Sequence, residues 1–154
     1  MDIRTIKRGI NQLTGDFFFP LIQAGKFEVS IQGSPKDIQL MLDAYIETAL
    51  WASVDENGDP LDKRFTREDL VSTAIEQMRK DCEAFYNDNK ETLLKANSDF
   101  SQHGHDFWLT HNGHGVGFWD RGYRKEISNA LTKAAYAYGD AYLYVGDDNN
   151  LYHS

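Results

Sequence analysis

Four of the five histidines, His103, His105, His111 and His114, crowd into one short stretch that also carries Asp106, Asp120 and Arg121. Those residue types can do three kinds of chemistry. Two imidazoles side by side can ligate a metal such as zinc. An imidazole beside a carboxylate can move a proton, because the carboxylate fixes its tautomer and raises its basicity. The glycines Gly113, Gly115 and Gly117, followed by Arg121, could present N–H groups to a phosphate. The glycine pattern is neither a phosphate-binding GxxxxGK[ST] loop nor a strand–GxGxxG–helix unit, and glycines needed for a turn and for room beside Trp108 and Trp119 are sufficient to explain it. The histidine spacing matches no established zinc signature. No cofactor is therefore predicted, with zinc the metal such a pair would take.

The element expected to position these groups is a β-hairpin. Asn112-Gly113 is a strong signal for a two-residue type I′ turn, which needs positive φ at both central residues. Residues 105–111 and 114–120 would then pair, with His111 opposite His114, Trp108 opposite Gly117, Phe107 opposite Phe118 and His105 opposite Asp120. Directly opposed residues lie about 5 Å apart at Cβ, close enough to share a metal or a proton. Alternation along the strands puts both histidine pairs on one face. It puts Trp108 and Trp119 on the other, with Trp108 over the bare backbone of Gly117. The candidate catalytic set is His105, Asp106, His114, Asp120 and Arg121. No nucleophile accompanies it: Ser101, Thr110 and Ser128 lack a nucleophile-elbow context, and Cys82 lies on an apolar helical stripe.

The rest of the chain reads as helices and short strands. Ile3, Ile6, Ile10 and Leu13 recur at helical spacing, and Phe27, Val29 and Ile31 alternate as in a strand. Between them Phe17-Phe18-Phe19-Pro20 is an unusual aromatic connection. Ser34-Pro35 opens a helix ending near Ser53, with Ile38, Leu42, Tyr45, Ile46, Ala49 and Leu50 on its apolar face. The acidic turn Asp55–Pro60 fails as a calcium loop, since Pro60 and Thr66 stand where Gly and Glu are required. Thr66 with Asp69 forms a short capping box. It precedes the stripe Leu70, Ala74, Ile75, Met78, Cys82, Phe85 and Tyr86, and Asn87-Asp88-Asn89 then interrupts the pattern, giving one bent helix or two. Residues 123–138 form another helix, stopped by Gly139. Residues 142–145 and 151–153 flank an acidic loop as a second hairpin. The fold class is α+β: an antiparallel sheet of two C-terminal hairpins, plus an N-terminal strand, packed against several helices. Residues 1–35 form an N-terminal arm and residues 36–154 a single domain.

Composition limits function. A net charge of −8 and 154 residues describe one acidic domain with a sizeable core. General binding to nucleic acid or to an anionic membrane needs a basic patch, and only the short Arg4, Lys7, Arg8 strip supplies one. A single cysteine excludes an intramolecular disulfide and fits a reducing compartment. No apolar run is long enough to span a bilayer. The segment MDIRTIKRGINQL has no signal-peptide core, so a cytoplasmic location is expected. Acidity with abundant Tyr and Trp suits a module that docks on a basic protein surface or mimics DNA in a nucleic-acid-binding cleft. Trp108, Trp119, Asp147 and Asp148 are the residues expected to make such contacts. The N-terminal arm offers a way to join copies of the chain.

The stretch Gly104-His105-Asp106-Phe107-Trp108-Leu109-Thr110, then Asn112-Gly113-His114-Gly115 and Gly117-Phe118-Trp119-Asp120-Arg121, resembles a group of small, mostly uncharacterised proteins encoded by bacteriophages and prophages. Residues 47–62, Met78–Cys82 with Phe85-Tyr86, and Leu143–Asp148 look like further blocks of that group. The likeness covers roughly residues 38–152. His111 stands where the group usually has Arg, and Asn149 where Gly is common. The resemblance implies a phage accessory protein acting in the bacterial host cytoplasm. The leading expectation is a non-enzymatic binder of a host or phage macromolecule, for example an inhibitor of restriction or CRISPR defence. The alternative is a small enzyme, such as a metal-assisted hydrolase, with its site on the 104–122 stretch.

Overall fold

The computed structural model describes residues 35–154. The expected N-terminal helix, the aromatic connection, the strand around Phe27 and the Ser34 cap lie outside the described residues. The unit Pro35–Ser154 contains four helices and one two-stranded antiparallel sheet, an α+β fold. The helices are α1 (Pro35–Ala52), α2 (Ser72–Lys95), α3 (Phe100–His111) and α4 (Lys125–Tyr136). The strands are β1 (Leu143–Val145) and β2 (Leu151–His153).

Helix α1 follows its apolar pattern, burying Met41, Leu42, Tyr45, Ile46, Ala49 and Leu50. The capping box at Thr66 forms, but it nucleates a single 3-10 turn, Arg67–Asp69; α2 begins later, at Ser72. On α2 the buried stripe is Ala74, Met78, Cys82, Phe85, Tyr86 and Leu93. The interruption read at Asn87–Asn89 is a kink: Asn89 has φ −125° and ψ 19°. Its side-chain amide donates to the Phe85 carbonyl at 2.9 Å, a side chain inserting into the helical ladder. Helix α4 buries Ile127, Leu131 and Ala135, and Gly139 follows at φ 69°.

The segment from 104 to 122 is not a hairpin. Residues 100–111 are helical, and the sheet consists of the C-terminal hairpin alone. Asn112 has φ −98°, which a type I′ turn does not allow, whereas Gly113 has φ 71°. The Gly113 N–H donates to the Thr110 carbonyl at 3.1 Å and the His114 N–H to the Leu109 carbonyl at 3.0 Å. This pair of bonds is the Schellman motif, with Gly113 as the left-handed residue after the helix. Asn112 reinforces it: its Nδ2 donates to the Trp108 carbonyl at 2.9 Å, and its Oδ1 accepts from the Ala141 N–H at 2.8 Å. Residues 114–120 form no strand; Phe118–Asp120 is a 3-10 turn closed by the Asp120 carboxylate on the Gly117 N–H at 3.0 Å.

The helix escaped the sequence pattern because α3 is buried nearly all round. His103, Gly104 and every residue from Asp106 to His111 are buried. Such a helix shows no single polar face and hence no clear 3.6-residue stripe. Helices α1 and α3 form the most extensive element pair. The core centres on rings from these two helices and α2: Phe85 of α2 stacks on Phe107 with centroids 4.1 Å apart, and Tyr45 meets Phe107 at 5.1 Å and Trp108 at 5.2 Å. The hairpin joins the helices where Leu151 bridges Leu70 and its carbonyl accepts from Val71 N–H at 3.0 Å. Among the described residues no helix is long and apolar enough to cross a membrane.

Candidate functional site

The helical α3 sends three of the crowded histidines, His103, His105 and His111, to different places, and His114 lies beyond its end. His111 is buried, and both ring nitrogens are engaged. Nδ1 lies 2.8 Å from the Gly139 carbonyl and Nε2 lies 2.8 Å from the Tyr45 hydroxyl. A carbonyl can only accept, so Nδ1 carries the proton and Nε2 accepts from Tyr45. Burial lowers the pKa of His111 and raises that of Tyr45 well above its ordinary value, which keeps both neutral. His103 is also buried, and its Nε2 donates to the Leu93 carbonyl at 3.2 Å in the last turn of α2. The expected His111–His114 metal pair is therefore not formed. Among the described residues, no three His, Cys, Asp or Glu side chains are grouped to hold a metal ion.

The His105–Asp120 pair is also absent. Asp120 is exposed and serves the Gly117 turn, while His105 points to α1. Trp108, expected on a binding face, is a core residue with 1 % exposure, and Gly117 lies against Thr110 and Trp119 rather than beneath Trp108. Trp119 is exposed.

What the fold does bring together is His105 and Arg121, on the lining of an open groove of about 400 Å³ between α1 and α3, with Asp106 buried behind Arg121. Asp106 is fully buried, and Arg121 grips it with Nη2 at 2.7 Å from Oδ1 and Nε at 2.9 Å from Oδ2. Gln102 adds a donor to Oδ1 at 3.2 Å. This two-point grip fixes the plane of the guanidinium and raises the Arg121 pKa further, so the side chain is permanently charged. Nε and Nη2 are used internally. Nη1 has no partner among the described residues.

Residues on α1 complete the groove, and sequence reasoning did not assign them to it. The Thr48 hydroxyl donates to the Ala44 carbonyl at 2.7 Å, one turn back. Its single proton is thereby committed, so at 3.1 Å it accepts from His105 Nδ1. The tautomer of His105 is thus set by α1, and Nε2 has no partner among the described residues. Trp51 is 41 % exposed and tilts over the His105 ring with centroids 5.8 Å apart. Glu47, Asp99, Ser101 and Gln102 form the rest of the rim. One signal for Trp51 was present: it is a large aromatic lying off the apolar stripe of an amphipathic helix. Thr48 gave none, because its role depends on where α3 crosses.

Of the two loop carboxylates singled out earlier, Asp148 organises the β1–β2 loop. Its Oδ2 accepts from the Tyr152 hydroxyl at 2.7 Å and its Oδ1 from the Asn150 N–H at 3.1 Å, bonds that lower its pKa. Asp147 is exposed beside it, and Tyr144 stacks on Tyr152 at 5.6 Å. Comparison with protein-family models, curated proteins and solved structures gave no match to this chain.

Proposed function

We propose that this protein acts by binding a macromolecular partner through the α1–α3 groove, as a non-enzymatic accessory protein. The observation that carries the reading is the fixed guanidinium of Arg121 at the rim of an open groove that also exposes Trp51. Arg and Trp are the residue types that most often dominate interface energies. A guanidinium already immobilised by a buried carboxylate loses little further freedom on binding. The group it suits is a neutral acceptor on the partner, such as a run of backbone carbonyls, because Asp106 already pairs with the guanidinium and Glu47 and Asp99 on the same rim oppose a further anion. The resemblance to small phage proteins points to host machinery, restriction and CRISPR systems included, as the place to seek that partner. Affinity capture from host cells tests the reading with Trp51→Ala and Arg121→Lys beside the unaltered chain. A specific partner should be retained by the unaltered chain and lost at least tenfold from both variants. Retention by both variants would overturn it.

One observation favours a second reading, proton transfer by His105: Thr48 fixes its tautomer and leaves Nε2 without a partner among the described residues. His105→Gln separates the two readings. Loss of the biological effect with partner capture intact would move the site from recognition to chemistry.

A further inference from the structure

The α1–α3 groove carries two groups of opposite hydrogen-bonding sense, and neither is satisfied among the described residues. Thr48 holds the His105 proton on Nδ1, so Nε2 is an acceptor. Asp106 takes Nε and Nη2 of Arg121, so Nη1 is a donor with nothing to donate to. Both side chains are half-buried and line the groove, and neither of these atoms is sealed from solvent. One acceptor and one donor match what every residue of a polypeptide main chain presents, an N–H and a C=O. In a helix those groups are used internally. An extended segment offers them to a neighbour.

The rim sets the side-chain chemistry of that segment. Glu47 and Trp51 lie four residues apart on α1, hence on one side of the helix, and both are exposed at the groove. A cation resting on the Trp51 indole is reached by the Glu47 carboxylate, so ring and charge attract it at one place. Asp99, at the start of α3, adds negative charge to the same rim. Asp106 already balances Arg121, and among the described residues neither Glu47 nor Asp99 is paired with a Lys or Arg. The groove is therefore complementary to a basic segment and repels an acidic one.

We propose that the partner enters this groove as an extended segment bearing a lysine or arginine. Its main chain bonds to His105 Nε2 and Arg121 Nη1, and its cation rests on Trp51 beside Glu47. This assignment rests on the reading of the groove as a docking site and specifies the chemistry of what docks there.

The test is a screen of the full chain against a library of random dodecapeptides, followed by fluorescence anisotropy with the selected peptides, capped at both ends. Selected peptides should carry at least one Lys or Arg and no acidic run. Replacing that basic residue by Gln should weaken binding about tenfold, as should Trp51→Ala or Glu47→Lys in the protein. Methylating the amide nitrogens of the peptide one at a time should find one position that weakens binding comparably, because His105 Nε2 loses its donor. The peptide-side changes leave the protein unaltered and so do not depend on the folding of a variant. Selection of no peptide would overturn the proposal. Peptides that lose affinity with Trp51→Ala but are indifferent to both the Gln replacement and Glu47→Lys would overturn it too, and would leave the groove a docking site for another class of segment. Peptides indifferent to Trp51→Ala as well would remove both readings.

Discussion

Gly104→Ala opposes two effects of known sign, and the structure decides between them. In an exposed helix interior, Ala is favoured over Gly by about 1 kcal/mol. Gly104 sits in α3 where that helix crosses α1, and a Cβ there would overlap the Met41 carbonyl oxygen and lie 2.9 Å from its carbon and 3.0 Å from its Cα. All three atoms are backbone, so no rotamer change relieves the overlap; the helices must move apart by about 1 Å, and a gap of that size forfeits a quarter to a half of each contact's dispersion. The contacts at stake are Tyr45 against Phe107 and Trp108, and the 2.8 Å bond from Tyr45 to His111, which would break. Overpacking strain costs about 1–3 kcal/mol and the lost hydrogen bond about 1 more. Set against the helix-propensity gain, the net destabilisation expected is about 1–3 kcal/mol, or a fall in Tm of roughly 5–10 °C for a domain of this size. Urea unfolding followed by circular dichroism, with calorimetry for Tm, measures it. A variant as stable as the parent would refute the close α1–α3 crossing, and with it the placement of His105 against Thr48.

Three further outcomes follow from the same geometry. Arg121→Met leaves the Asp106 carboxylate buried with Gln102 as its remaining side-chain partner, so it should cost about 3–5 kcal/mol in chemical unfolding, while adding Asp106→Leu should recover most of that loss. His103, His111 and His153 all have folded pKa values lowered from 6.5, mainly by burial. The unfolded chain therefore binds their protons first. The stability they contribute is complete above pH 6.5 and is lost as pH falls through that value towards the lower folded ones, with a slope of at most about 1.4 kcal/mol per pH unit for each histidine. Urea midpoints measured from pH 8 to pH 5 check this; a midpoint independent of pH over that range would contradict the burial of these rings. Asn149 has φ 65°, so Asn149→Gly should leave Tm unchanged or slightly raised, whereas Asn149→Val should destabilise by about 1–2 kcal/mol.

The legible parts of the fold were those with one-sided burial. Helix α1, the stripe on α2 through Cys82, the kink near Asn89, α4 with its Gly139 stop, and the C-terminal hairpin all follow from local pattern, because each buries one face and exposes the other. The histidine-rich stretch was misread because it buries both. Asn-Gly satisfies a hairpin turn and a helix C-terminus equally well, since either conformation accepts Gly at positive φ. The two differ in Asn, and its φ cannot be read from residue type.

A local clue did favour the helix. Asp99 precedes Phe100-Ser101-Gln102, an acidic N-cap followed three residues on by Gln, and Asp99 Oδ1 accepts from the Gln102 N–H at 2.9 Å. With a cap thirteen residues before Asn112, the segment between is one α-helix of three turns. The consequence for the site is larger than a change of element. Opposed strands would have set His105 against Asp120 and His111 against His114. A helix instead sets residues four apart on one side, so Gln102 and Asp106 meet, and Arg121 reaches them from the following turn. The candidate residues His105, Asp106 and Arg121 are thus brought close together for a reason that pairing arithmetic could not supply. They are joined through α1 and a buried carboxylate rather than across a sheet.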